Sequence, residues 1–133
     1  MIGDGNNCHL ITASITGFVT KISLSSKRIL KYYANILEGG IYNLIASNNT
    51  KDLFLSNDSG CIIQWSIDQE KTIKKYNNAH TCMIEFMQIS NDKKYLITKD
   101  IDNCVKYWDI ENQKICKNVG YITEEPIVKF ISI

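Results

Sequence analysis

The chain has 133 residues, 44% of them hydrophobic, and 15 basic residues against 14 acidic ones for a net charge of +1. That length supports one domain with a sizeable core, and the regular apolar clusters exclude a disordered chain despite the abundance of Asn and Lys. The near-neutral balance gives no field for nucleic acid or an anionic membrane surface, so neither is expected as a partner.

Residues 1–14 carry no basic start followed by a long apolar core, so no secretory leader is read there. The apolar runs are only a few residues long, too short for a membrane-spanning helix. Five cysteines are present and none forms a C-x-x-C pair. They are expected to be reduced thiols in a cytoplasmic protein, with no disulfide and no zinc site.

Three segments then align without a gap: HLITASITGFVTKIS from His9, DLFLSNDSGCIIQWS from Asp52 and YLITKDIDNCVKYWD from Tyr95. Trp65 and Trp108 lie 43 residues apart, at the same place in two of these segments. The apolar stretches 41–47, 84–90 and 127–133 keep the same phase. A fixed period of this length marks an array in which each unit buries its faces on its neighbours.

The unit from His80 predicts four strands in order. Strand A covers 84–90, where Ile84, Phe86 and Ile89 supply β-forming apolar residues. Residues 90–94 are a polar turn, and strand B covers 95–99. A second turn at 100–103 leads to strand C over 104–109. That strand has Val105 and Tyr107 on one side and Cys104, Lys106 and Trp108 on the other. A turn at Glu111-Asn112 precedes an outer strand D over 113–119. Gly17, Gly60 and Asn103 occupy the turn before strand C in the three copies, and all three types tolerate positive φ. Lys31-Tyr32-Tyr33 and Lys74-Lys75-Tyr76 recur one period apart as outer-strand positions. Strands this short, apolar on both faces and joined by frequent turns, predict an all-β meander of small stacked sheets.

The stretch 80–109 resembles the WD40 family of β-propellers. His80 stands where the family has Gly-His before strand A, with Ala79 in place of the glycine. Thr98 matches the strand-B Ser/Thr, Asp102 matches the turn Asp, and Trp108-Asp109 is the dipeptide that names the family. The resemblance implies a buried hydrogen-bonded relay from Trp108 to Thr98 to His80 to Asp102. The middle unit keeps Trp65-Ser66 but has Leu55, Ser59 and Leu37 in place of the Thr, Asp and His. The first unit has Ile22-Ser23 at the dipeptide and retains Thr12.

The fold expected is a partial β-propeller of about three blades, each a four-stranded antiparallel sheet. The whole of 1–133 is read as one WD40-like segment. Its units run approximately 1–36, 37–79 and 80–123, with 124–133 as the first strand of a further unit. Three blades are too few to close a ring, so the remainder of a larger propeller or a second copy is expected beside the chain.

No catalytic centre is read from the sequence. His80 and Cys82 have no orienting carboxylate in the pattern, and Asp100 with Asp102 is explained by a turn. No metal and no cofactor are expected, since there are two histidines and no Gly-rich phosphate loop. The resemblance implies instead a non-enzymatic scaffold for protein or peptide partners, which dock on the face formed by the D–A and B–C loops. Carried onto this chain, the contact positions are Gly40, Tyr42 and Asp58 in the middle unit and Met83, Glu85 and Ile101 in the next. Pro126 and Val128 are the corresponding pair near the end. The alternative is a self-assembling element that completes its ring with another copy.

Overall fold

The computed structural model describes residues 8–47, 51–76 and 79–112, together with the backbone of 114–121. Among them are eleven strands and no helix. In chain order these are β1 (His9–Ala13), β2 (Val19–Ser23), β3 (Arg28–Tyr33), β4 (Ile41–Ala46), β5 (Asp52–Asn57), β6 (Ile62–Ser66), β7 (Lys71–Tyr76), β8 (Ile84–Ile89), β9 (Tyr95–Asp100), β10 (Cys104–Asp109) and β11 (Lys114–Tyr121). They form three antiparallel meanders: β1-β2-β3, β4-β5-β6-β7 and β8-β9-β10-β11. The stretch 127–133, expected as a further strand A, and the pair Pro126 and Val128 lie outside the described residues.

The period is written into the register as well as the sequence. His9 pairs with Ser23, Asp52 with Ser66 and Tyr95 with Asp109. The C–D ladders slip beside the Trp position in each copy: between Lys21 and Ile22, Gln64 and Trp65, and Tyr107 and Trp108. The A–B ladders slip between Ile41 and Asn43 and between Ile84 and Phe86. Such bulges bend a strand and re-aim a side chain, so their recurrence repeats a blade's twist as well as its pairing. Gly17, Gly60 and Asn103 have φ of 88°, 86° and 65°, the left-handed geometry expected from their types.

Strand alternation sends the apolar residues to two separate cores. Between the first and second sheets, Val19, Leu53, Leu55, Ile63 and Trp65 are buried together, with Ile11 and Tyr33 against them. Between the second and third sheets the buried set is Phe54, Ile62, Tyr76, Ile84, Leu96 and Trp108. Leu53 and Leu55 thus face one way and Phe54 the other, which is why β5 and β6 are apolar on both faces.

Each junction carries an aromatic pair. Tyr33 meets Trp65 edge-on at 4.7 Å between ring centroids, and Tyr76 meets Trp108 edge-on at 5.3 Å. Such contacts contribute about 0.5–1.5 kcal/mol beyond area burial. At the first junction the outer strand is tied down further. Glu70 accepts from Lys31 Nζ at 2.5 Å and from the Tyr33 hydroxyl at 3.0 Å. Burial, reinforced by the Glu70 carboxylate, pushes the Tyr33 hydroxyl up to about 12.

Candidate functional site

Under the loop face of the third blade lies a chain of buried polar contacts. Trp108 Nε1 donates to Thr98 Oγ1 at 2.9 Å, and Thr98 Oγ1 lies 2.7 Å from His80 Nε2. His80 Nδ1 meets the Asp100 carboxylate at 2.8 Å. A neutral His80 satisfies every member once: Nδ1–H donates to Asp100, and Nε2 accepts from the Thr98 hydroxyl, which accepts from the indole. A second ring proton would leave the Thr98 hydrogen without its acceptor. Burial is the larger influence on His80 and lowers its pKa; the Asp100 carboxylate opposes this without reversing it.

The acid of the relay is therefore Asp100, and the expectation for Asp102 is corrected. Thr98 and Asp100 are two apart on β9, so both project to the same face and reach His80. Asp102 lies past the strand end on the exposed turn, with its carboxylate 3.5 Å from the Cys82 thiol. The second Asp100 oxygen accepts from the backbone N–H of Asp102 and of Cys104, both at 2.9 Å. Asp100 thus joins the relay to the B–C turn.

That turn-holding role recurs at the same phase in the other blades. Asn57 Oδ1 accepts from Cys61 N at 2.9 Å and Ser59 N at 3.1 Å, while its amide donates to the Glu38 carbonyl at 2.8 Å. Ser14 Oγ accepts from Phe18 N at 3.1 Å. The middle blade has lost the His–Thr part of the relay, where Leu37 and Leu55 are buried in the apolar core. It keeps the part that fixes the loop. The periodic trio Ser14, Asn57 and Asp100 was legible in the aligned segments, since all three are turn-capping types.

His80, Asp100 and Cys104 bring one ligand-type atom each to within 4.8 Å of one another. Both imidazole nitrogens are occupied by Asp100 and Thr98, and burial pushes the Cys104 thiol up, away from the thiolate that binds metal. The trio serves the hydrogen-bond network. Cys82, near in sequence to His80, has its thiol pKa raised, chiefly by burial and by Asp100, which opposes a role as nucleophile.

Above this framework the loop face carries the expected contact positions. Tyr42, Asp58 and Ile101 are exposed. Glu85 is exposed but paired with the buried ammonium of Lys99, which also sits 5.2 Å over the Phe86 ring. Met83 is half-buried, and its carbonyl accepts from Ile101 N at 3.1 Å. Gly40 has a different part: a Cβ there would lie 2.2 Å from the Ile15 carbonyl oxygen, so the glycine lets the D–A loop press on the neighbouring B–C turn.

Ile15 was missed, although it stands one period before Asp58 and two before Ile101. It is 69% exposed, the most among the described large apolar residues. Ile15, Thr16, Asn35, Leu37, Glu38 and Gly39 are among the residues around a cavity of about 550 Å³ on this face. Asp58 adjoins it, since its carboxylate lies 3.1 Å from where a Gly39 Cβ would stand.

No family model and no curated protein matches the sequence. Solved structures do. A crystal structure of RRP9 WD40 repeats aligns with a TM-score of 0.75 at 16% identity, covering 84% of this chain and 35% of that one. A structure of U3-55K aligns with a TM-score of 0.75 at 15% identity, covering 84% and 36%. The chain has the WD40-type β-propeller fold and spans about a third of the length of these structures.

Proposed function

We propose that this chain is a non-catalytic interaction scaffold that holds protein or peptide partners on the face formed by its D–A and B–C loops. The observation that carries the reading is a set of exposed apolar side chains: Ile15 and Ile101 on B–C turns fixed from below, and Tyr42 at the start of β4. Each B–C turn is pinned by a side chain at the same phase: Ser14, Asn57 or Asp100. Large side chains on a preorganised surface bind with little ordering cost, and aromatic anchors are favoured at interface cores. Asp58, and Glu38 beside the cavity, add polar contacts at its edge. The reading places the protein's work in the cytoplasm, following the cysteine pattern.

The test is site-specific photocrosslinking in cells, with the reactive group at position 42 or, as control, at position 74 on the outer strand β7. Discrete protein adducts at 42 that are absent at 74 support the loop face. The same adducts at both positions would remove it.

A further inference from the structure

The loop face is built from the B–C turns 14–18, 58–61 and 101–103 and the D–A loops 34–40 and 77–83. No Lys or Arg stands in these segments, whereas Glu38, Asp58 and Asp102 do. The turns of the opposite rim mix both signs, with Lys27, Lys93 and Lys94 beside Asp68, Glu70 and Asp92. A near-neutral chain thus has one acidic face. Two lysines on the strands below it are held there. Lys99 pairs with Glu85, and Lys106 Nζ donates to the Ala79 carbonyl at 2.6 Å.

The cavity on this face has a cause in the sequence. The first D–A loop carries Leu37, Glu38, Gly39 and Gly40 where the next carries His80, Thr81, Cys82 and Met83, one period on. The two glycines supply no side chain, and Leu37 makes none of the hydrogen bonds that tie His80 to β9. The first loop therefore stands further from its B–C turn. A Cβ at Gly17 would lie 3.9 Å from the Leu37 carbonyl oxygen, whereas one at Gly60 would lie 2.3 Å from that of His80. The space left is about 550 Å³, with Ile15 and Leu37 as apolar lining. Glu38 lines it and Asp58 adjoins it. Both acids are exposed, and neither joins an ion pair among the described residues.

Apolar lining with two carboxylates at its edge suits a long basic side chain. The stem of Lys or Arg covers apolar surface while the charged head stays with the carboxylates and water. We propose that the loop face selects basic peptide segments, and that the cavity beside Ile15 receives one Lys or Arg side chain with Glu38 and Asp58 as its counter-charges. The inference rests on the loop face as the docking surface and adds the chemistry of what docks there.

The test uses the full chain and pools of short synthetic peptides with the same degenerate flanks and a fixed central Arg, Lys, norleucine or Glu. Fluorescence polarisation reads the binding. The Arg and Lys pools are expected to bind about fivefold more tightly than the norleucine pool, and the Glu pool most weakly. The double variant Glu38→Gln, Asp58→Asn is expected to lose that preference with its thermal melt unchanged. Asp68→Asn with Glu111→Gln makes the same charge change on the opposite rim and is expected to keep it. Equal binding of all pools, binding of none, or a preference for Glu overturns the proposal. So does a preference that survives the first double variant, or one that both double variants abolish alike. If position 42 still gives its adducts in any of these cases, the loop face stands and only the basic selectivity fails; without those adducts the loop face fails as well.

Discussion

Replacing Thr98 by Val removes one hydroxyl and keeps the side-chain shape. In the wild-type chain that oxygen accepts from Trp108 and donates to His80, and all three residues are buried. The Val variant leaves a buried indole N–H and a buried imidazole nitrogen without partners. Each such group costs about 1–3 kcal/mol, so the expected loss is roughly 2–6 kcal/mol. Domains of this size are stable by only about 5–15 kcal/mol, so much of the stability is at stake. Urea unfolding followed by tryptophan fluorescence reports it, since Trp108 is itself in the relay. With a slope of about 1–3 kcal/mol per molar, the midpoint falls by at least about 0.7 M. A loss below about 0.5 kcal/mol, the range of an unremarkable surface change, would refute the relay as the blade's anchor.

Three further outcomes follow from the same geometry. Asp100→Ala is expected to lower the urea midpoint strongly, because it strips His80 and two backbone N–H groups of their acceptor, while Asp102→Ala changes it little; the reverse order would restore Asp102 to the relay. His80 is held below its ordinary pKa of about 6.5 by burial, so the unfolded chain binds that proton more readily. Its contribution is full above about pH 6.5 and is lost as the pH falls below it; His80→Gln should flatten that part of the stability profile, and an unaltered slope would contradict the assignment. Gly60→Ala places a Cβ 2.3 Å from the His80 carbonyl oxygen at φ +86°, so it should cost more than the roughly 1–2 kcal/mol of left-handed backbone alone. Gly39→Ala meets only the Asp58 side chain at 3.1 Å and should cost less; equal thermal shifts would show that the close approach at Gly60 is relieved.

The architecture was legible because three independent signals share one phase: the apolar strands, the Trp positions and the turn residues with positive φ. Register obeyed the same period, so β10 has the bounds that alternation predicts, Cys104–Asp109. The relay was legible only in part. Asp100 and Asp102 have the same chemistry, and the family pattern counts to the turn. Strand alternation points to Asp100, two residues from Thr98, and that rule decides which carboxylate faces His80. Lys99 was not anticipated as a buried residue. It is 1% exposed, and its ammonium is carried by Glu85 and the Phe86 ring, which come from another strand and cannot be inferred from local composition. Gly40 is a contact position by its place in the period. Its surroundings show a backbone approach to Ile15, the exposed residue that the same period should have supplied.

The proposal is that partners are held by the loop face while the blades remain rigid beneath it. Its most direct measurement is the affinity of the partner recovered as the position-42 adduct for the wild-type chain and for the triple variant Ile15→Ala, Tyr42→Ala, Ile101→Ala. All three side chains are exposed, so the thermal melt should stay where it is. Anchors of this kind contribute about 1–2 kcal/mol each, which predicts a loss of affinity of at least tenfold. An unchanged affinity with an unchanged melt would contradict the account.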